Sequence, residues 1–113
     1  SELQLDAASL PAFLRQHPDA ILVDVREAYE HAACAGTVFE GCAVHSVPLS
    51  RLAGQVAAWL QQPQCPLVFF CRSGNRSARA SACLRRLGHA AAWQLNGGMA
   101  MAEATRHPLA IAA

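Results

Sequence analysis

Short apolar runs alternate with stretches of helical periodicity along the chain. Ile21-Leu22-Val23 is a continuous apolar run ending at Asp24, the pattern of a strand buried on both faces. Leu67-Val68-Phe69-Phe70 gives the strongest strand signal, and Leu3–Leu5, Val44–Val47 (stopped by Pro48) and Ala92–Leu95 are read as further strands. Between them lie helical segments. Asp6 or Ser9 supplies an N-cap and Pro11 a first-turn proline for a helix ending near His17, ahead of Pro18. Glu27–Ala33 reads as a short helix, and Cys34–Gly41 as loop. Ser50 is expected to cap a helix whose apolar positions Leu52, Val56, Trp59 and Leu60 recur at helical spacing. A third helix runs from the Ser77 region to about Leu87, stopped by Gly88 as the C′ residue. Asn96-Gly97-Gly98 is a sharp turn before a last helix, Met99–Thr105. Strand and helix in alternation imply an α/β fold, a parallel sheet with crossover helices and a ligand site at the carboxyl ends of its strands.

Composition narrows the class. The 113 residues, 53% hydrophobic and 15% charged, suit one domain spanning 1–113 and exclude a disordered segment. A net charge of +1 gives no support to nucleic-acid or membrane-surface binding through bulk charge. All nine basic residues are arginine, however, and five of them fall between Arg72 and Arg86, so the mean hides one local positive field. No apolar run approaches the roughly 18–20 residues of a membrane span. Ser1–Asp6 lacks the layout of a signal peptide, so a cytoplasmic setting is expected. Nothing in the pattern demands a dimer, and a monomer is expected. Cys34, Cys42, Cys65, Cys71 and Cys83 show no Cys-x-x-Cys spacing, and the histidines show no metal spacing. No phosphate loop or dinucleotide fingerprint is present, so neither a metal nor an organic cofactor is expected.

The chemistry concentrates at Cys71, which ends the most apolar strand just before a helix. Successive amides of the tight loop Arg72-Ser73-Gly74-Asn75-Arg76-Ser77 can converge into an anion-binding nest. The helix adds its unsatisfied N–H groups and the positive end of its dipole, and Arg72, Arg76 and Arg79 add full charges. Each effect favours a thiolate, the nucleophilic form, and the same nest would hold an anionic substrate. The alternative is an inert packed thiol, but three arginines around a structural thiol have no packing purpose. A cysteine phosphatase needs five residues between nucleophile and arginine. Here Arg76 follows after four and Ser77 takes the next position, so the cradle is smaller and suits an added sulfur atom better than a phosphoryl group. The one acidic residue past the loop is the distant Glu103, which leaves only Asp24 as a poor candidate general acid.

CRSGNRS after an apolar strand, with Leu22-Val23-Asp24-Val25-Arg26-Glu27 and Val47-Pro48-Leu49 upstream and Gly97-Gly98 late, resembles a single-domain rhodanese, a thiosulfate sulfurtransferase. The resemblance runs from about Leu3 to Leu109. It implies a five-stranded parallel sheet with helices on both faces. It also implies that Cys71 takes a sulfane sulfur from a small-molecule donor as a persulfide, cradled by the amides of Arg72 to Arg76, and passes it to cyanide, a thiol or a sulfur-accepting protein. The chain departs from that pattern in two places. His31–His45 replaces the usual Gly-His-Ile-Pro-Gly-Ala stretch, and Ala102 stands near the usual Trp.

Asp24 and Arg26 are expected near Cys71 as a site-shaping ion pair or a purely structural one. Arg72 is expected to meet the anionic donor, Arg76 to brace the loop, and Ser77 to cap the helix or reach the sulfur with its hydroxyl. Cys34 and Cys42 are read as ordinary thiols rather than resolving ones, Cys65 and Cys83 as core, and His31, His45 and His89 as surface. Trp59 and Trp93 are placed in the core. Competing readings are a non-catalytic rhodanese-homology binding module and, more remotely, a cysteine phosphatase or arsenate reductase.

Overall fold

The computed structural model of the protein describes residues 3–25, 38–39, 42–71 and 75–96. Strands β1 (Gln4–Leu5), β2 (Ile21–Asp24), β3 (Val38–Phe39), β4 (Cys42–Ser46), β5 (Leu67–Phe70) and β6 (Ala92–Leu95) form one sheet in the order β1-β6-β5-β2-β4-β3. Helices α1 (Leu10–Gln16), α2 (Ala53–Leu60) and α3 (Asn75–Arg86) join them, with single 3-10 turns at Ala7–Ser9 and Leu49–Arg51. Every pair among β1, β6, β5, β2 and β4 is parallel; only β3 runs antiparallel, against β4. The five parallel strands are those the apolar runs predicted.

Alternation along the strands sorts side chains to two faces. Leu22, Val68, Phe70 and Leu95 pack with Leu10, Phe13 and Leu14 of α1. Val23, Leu67, Phe69 and Ala92 pack on the other face with Trp59 of α2 and Ala80 and Leu84 of α3. Each face is closed by helices. Trp59 stacks edge-on against Phe69 at 5.5 Å, and the half-buried Trp93 lies edge-on to Phe13 at 5.0 Å on the opposite face. β5 is wholly buried between β2 and β6, which is why its sequence carries no alternation.

The helix ends differ from the sequence expectation for a shared reason. Ser9 already has helical dihedrals (φ −87°, ψ −11°) and makes no side-chain cap, because its amide donates to Asp6 O at 3.0 Å in a preceding 3-10 turn. An N-cap hydroxyl needs an extended backbone to fold back on the next turn. Likewise Ser50 lies inside the turn Leu49–Arg51, and Leu52, also helical, takes the cap position of α2. The C-terminus of α3 follows the expected logic: Gly88 has φ +109°, its amide donates to Arg85 O, and His89 donates to Leu84 O. That is the paired bonding of a Schellman stop.

Several other expectations need correction. β3 falls within the stretch read as loop, since two residues are too few to show alternation. β4 spans Cys42–Ser46 rather than 44–47. The expected helices Glu27–Ala33 and Met99–Thr105, and the turn at Gly97-Gly98, lie outside the described residues. Cys65 and Cys83 are half-buried rather than core.

His89 is not a surface residue: it is 2% exposed. Its Nδ1 accepts the Ala91 amide at 3.1 Å, which puts the proton of the neutral ring on Nε2. Among the described residues Nε2 makes no hydrogen bond of full geometry, only a weaker interaction with the Gln62 carbonyl, and the ring borders a cavity of about 180 Å³ beside Trp59, Gln62 and Cys65. Burial pushes the His89 pKa down, and the Gln62 carbonyl offsets only part of this.

Two outcomes follow for stability. His89 lowers stability as pH falls below the unfolded value of 6.5, because the unfolded chain takes up a proton that the folded ring resists. The urea midpoint should therefore drop between about pH 7.5 and about pH 5.5, and His89→Asn should flatten that drop. At Gly88 and Gly54 an added Cβ meets nothing within 4 Å, so only backbone conformation decides the sign. Gly88→Ala should cost about 1–2 kcal/mol at its positive φ, and Gly54→Ala in α2 should add about 0.5–1 kcal/mol.

Candidate active site

The site is built where β5 leaves the sheet. The carboxyl ends of three strands are laced together there: the Val25 amide donates to Phe70 O at 3.1 Å, Val47 to Asp24 O at 2.9 Å, and Leu49 to Val25 O at 3.1 Å. Cys71 follows immediately. Its side chain is 0% exposed and packs with Val23, Val25, Phe69 and Ala80.

α3 begins four residues later, and Ser77 is its third residue rather than its cap. First-turn amides have no intrahelical acceptor. The Ser77 amide donates instead to Cys71 Sγ at 3.4 Å, and Sγ lies 3.6 Å from Ser77 Oγ. In the thiol form Sγ–H donates to the hydroxyl; facing a thiolate, the hydroxyl can turn and donate in its place. No acidic residue occupies the first turn of α3, so no side chain of that turn offsets the positive end of the helix dipole. A thiol in an apolar cluster is usually inert. Two polar partners supplied by a helix N-terminus are what distinguish this one.

Asp24 is fully buried at the end of β2 and pairs in register with Phe70 on one side and Ser46 on the other, next to the strand end that carries Cys71. Asn75 is exposed and Arg76 half-buried in the first turn of α3. Arg26, Arg72, Ser73 and Gly74 lie outside the described residues, as do His31 and Cys34. Arg79 is exposed one turn further on, lining a groove between α3 and the turn before α2. Arg51 was not singled out from sequence. It borders a depression of about 510 Å³ with Ser46, Val47 and Pro48, and a polar residue after a strand-ending proline was its only signal. Among the described residues no group of three or more His, Cys, Asp or Glu could hold a metal ion.

A parallel α/β sheet whose central strand delivers a cysteine to a helix N-terminus defines a class of anion-handling cysteine domains. Residues 6–104 match the family model of the rhodanese-like domain, and the chain belongs to that family. No curated protein matches the chain significantly. Among solved structures, a thiosulfate sulfurtransferase from Pseudomonas aeruginosa superposes with a TM-score of 0.72 at 21% identity, over 94% of this chain and 19% of its own. This chain thus spans about a fifth of that relative. A polysulfide-sulfur transferase homodimer from Wolinella succinogenes gives 0.73 at 24% identity, covering 94% and 76% of the two chains. A human single-domain sulfurtransferase gives 0.64 at 25% identity, covering 87% and 92%.

Ser77→Ala keeps the amide and removes the hydroxyl. It should slow iodoacetamide alkylation of Cys71 about threefold to tenfold, the worth of one hydrogen bond to the reacting sulfur, at unchanged unfolding midpoint. An unaltered alkylation rate would show that the hydroxyl does not support the sulfur.

Proposed function

We propose that the protein is a sulfurtransferase that carries sulfane sulfur on Cys71, from a donor such as thiosulfate to a thiophilic acceptor, cyanide or a thiol. The Cys71 thiolate attacks the outer sulfur of thiosulfate; the S–S bond breaks and sulfite leaves with the electron pair. The acceptor then attacks the terminal sulfur of the persulfide, giving thiocyanate or an acceptor persulfide and returning the thiolate. No metal or organic cofactor takes part. The observation that carries the reading is the Ser77 amide on Cys71 Sγ at 3.4 Å, within a chain of the rhodanese-like family.

Each remaining role follows the same logic. The amides from Arg72 to Arg76 cradle the terminal sulfur, the Ser77 amide and hydroxyl hold the inner one, and Arg72 meets the anionic donor. Arg76 braces the loop, and Asp24 with Arg26 shapes its surroundings. The solved relatives are named for different donors, thiosulfate and polysulfide, and thiosulfate is proposed here as the simplest of the sulfane class. The proposed setting is the cytoplasm, where thiols stay reduced, and the proposed state a monomer acting on small molecules or on a sulfur-accepting protein.

One observation favours a second reading, a rhodanese-homology module that binds a partner and performs no transfer: Cys71 has no exposed surface. Intact mass after incubation with thiosulfate separates the two. The enzyme gains the mass of one sulfur atom, loses it on adding cyanide, and gains nothing as Cys71→Ser. An unchanged mass under excess donor supports the binding module, and Cys71-dependent turnover of a phosphate ester without sulfur uptake would revive the phosphatase reading.

A further inference from the structure

Charge is segregated along this chain. Seven of the eight acidic residues precede Gly41 and the eighth is Glu103, so residues 41–102 hold none, while Arg51, Arg72, Arg76, Arg79, Arg85 and Arg86 all fall there. The two described α-helices on that stretch, α2 and α3, share one face of the sheet. Between α3 and the turn that leads into α2 lies an open groove of about 540 Å³. Its floor is apolar, formed by Leu49, Leu52, Ala78 and Ala82, and Arg79 and Arg86 stand at its rim. Both arginines are exposed, and among the described residues neither side chain makes a hydrogen bond or ion pair.

From the groove we infer a docking site for an acidic, partly apolar segment of the protein that takes sulfur from Cys71. The inference rests on the transfer reading above and supplies its partner. Arg79 and Arg86 are two helical turns apart, about 10 Å along the axis, too far for one small carboxylate to bridge. They match two carboxylates two turns apart on a helix, or about three residues apart on an extended strand, with apolar side chains between them to cover the floor. Residues 41–102 carry no carboxylate, and none among the described residues pairs with Arg79 or Arg86, which leaves both charges for an acidic partner to complement. The groove also points at the site. Ala78 follows Ser77 directly in α3, Leu52 packs in the same cluster as Cys71, and Leu49 is tied by its amide to Val25 at the carboxyl edge of the sheet. A segment lying along the groove brings its end to that edge.

The test uses the persulfide-loaded protein and two synthetic helical peptides ending in cysteine. One carries two glutamates seven residues apart flanking leucines; the other has glutamine in their place. Sulfur transfer to the acidic peptide should be about tenfold faster at low salt, and the ratio should fall toward one in roughly 0.5 M salt and in Arg79→Gln/Arg86→Gln. A ratio near one in the wild type, or one that survives in the double variant, overturns the inference. Binding of the same fluorescent peptides is measured alongside. Should Cys71 take up no sulfur, charge-selective binding through both arginines still upholds the docking site while the transfer reading fails alone. Arginine-dependent binding to phosphatidylserine vesicles, with no discrimination between the peptides, overturns the protein partner in favour of a lipid surface.

Discussion

Everything at the candidate site depends on where β5 ends. That strand is buried on both sides, between β2 and β6 and under helices on both faces, so its direction and register are fixed. Phe69 and Phe70 point to opposite cores, and a shift of one residue would exchange them and place Cys71 on the wrong face. The start of α3 is fixed just as tightly, because Ala80 and Leu84 are buried in the cluster that holds Phe69 and Cys71. With strand and helix both anchored, the Ser77 amide meets the sulfur without any further device. A backbone N–H buried without a partner would cost about 1–3 kcal/mol, so this contact also satisfies a group the fold would otherwise strand.

The same geometry sets two demands against each other. Complete burial shields a sulfur anion from water and strengthens each dipole aimed at it. It also keeps a donor away, so turnover needs the sulfur to become reachable. A purely structural thiol would meet the first condition and ignore the second. Residues 41–102 carry six arginines and no acidic residue, and Arg76, Arg79, Arg85 and Arg86 lie on α3 itself. Such a field raises the local concentration of anionic donors and of acidic partners alike.

Much of this was legible in the residues. Ile21–Asp24 and Leu67–Phe70 are short, apolar and rich in strand formers, and they formed the two central strands as read. Gly88 marked a helix stop that its φ of +109° explains. As caps the serines misled for one reason: Ser9, Ser50 and Ser77 each sit where the chain is already helical, and cap propensity does not report the conformation of the preceding turn. Ser77 thereby gained a role at the sulfur through its amide, a group every residue carries and no motif displays. The other reading of Ser77, a hydroxyl that reaches the sulfur, holds at 3.6 Å. His89 looked like a surface residue because histidine usually is one; only the packing of the Schellman turn against α2 and β5 put it inside.

The Ser77 amide resonance reports directly on the sulfur it faces. On adding stoichiometric thiosulfate, the Ser77 N–H cross-peak in a proton–nitrogen correlation spectrum should move upfield, because the charge passes to the terminal sulfur and the inner sulfur that faces this N–H becomes a weaker acceptor, and it should return on adding cyanide. In Cys71→Ser it should not respond. A Ser77 amide that stays in place while donor is consumed, or that moves equally in Cys71→Ser, would contradict a sulfur carrier held at the start of α3.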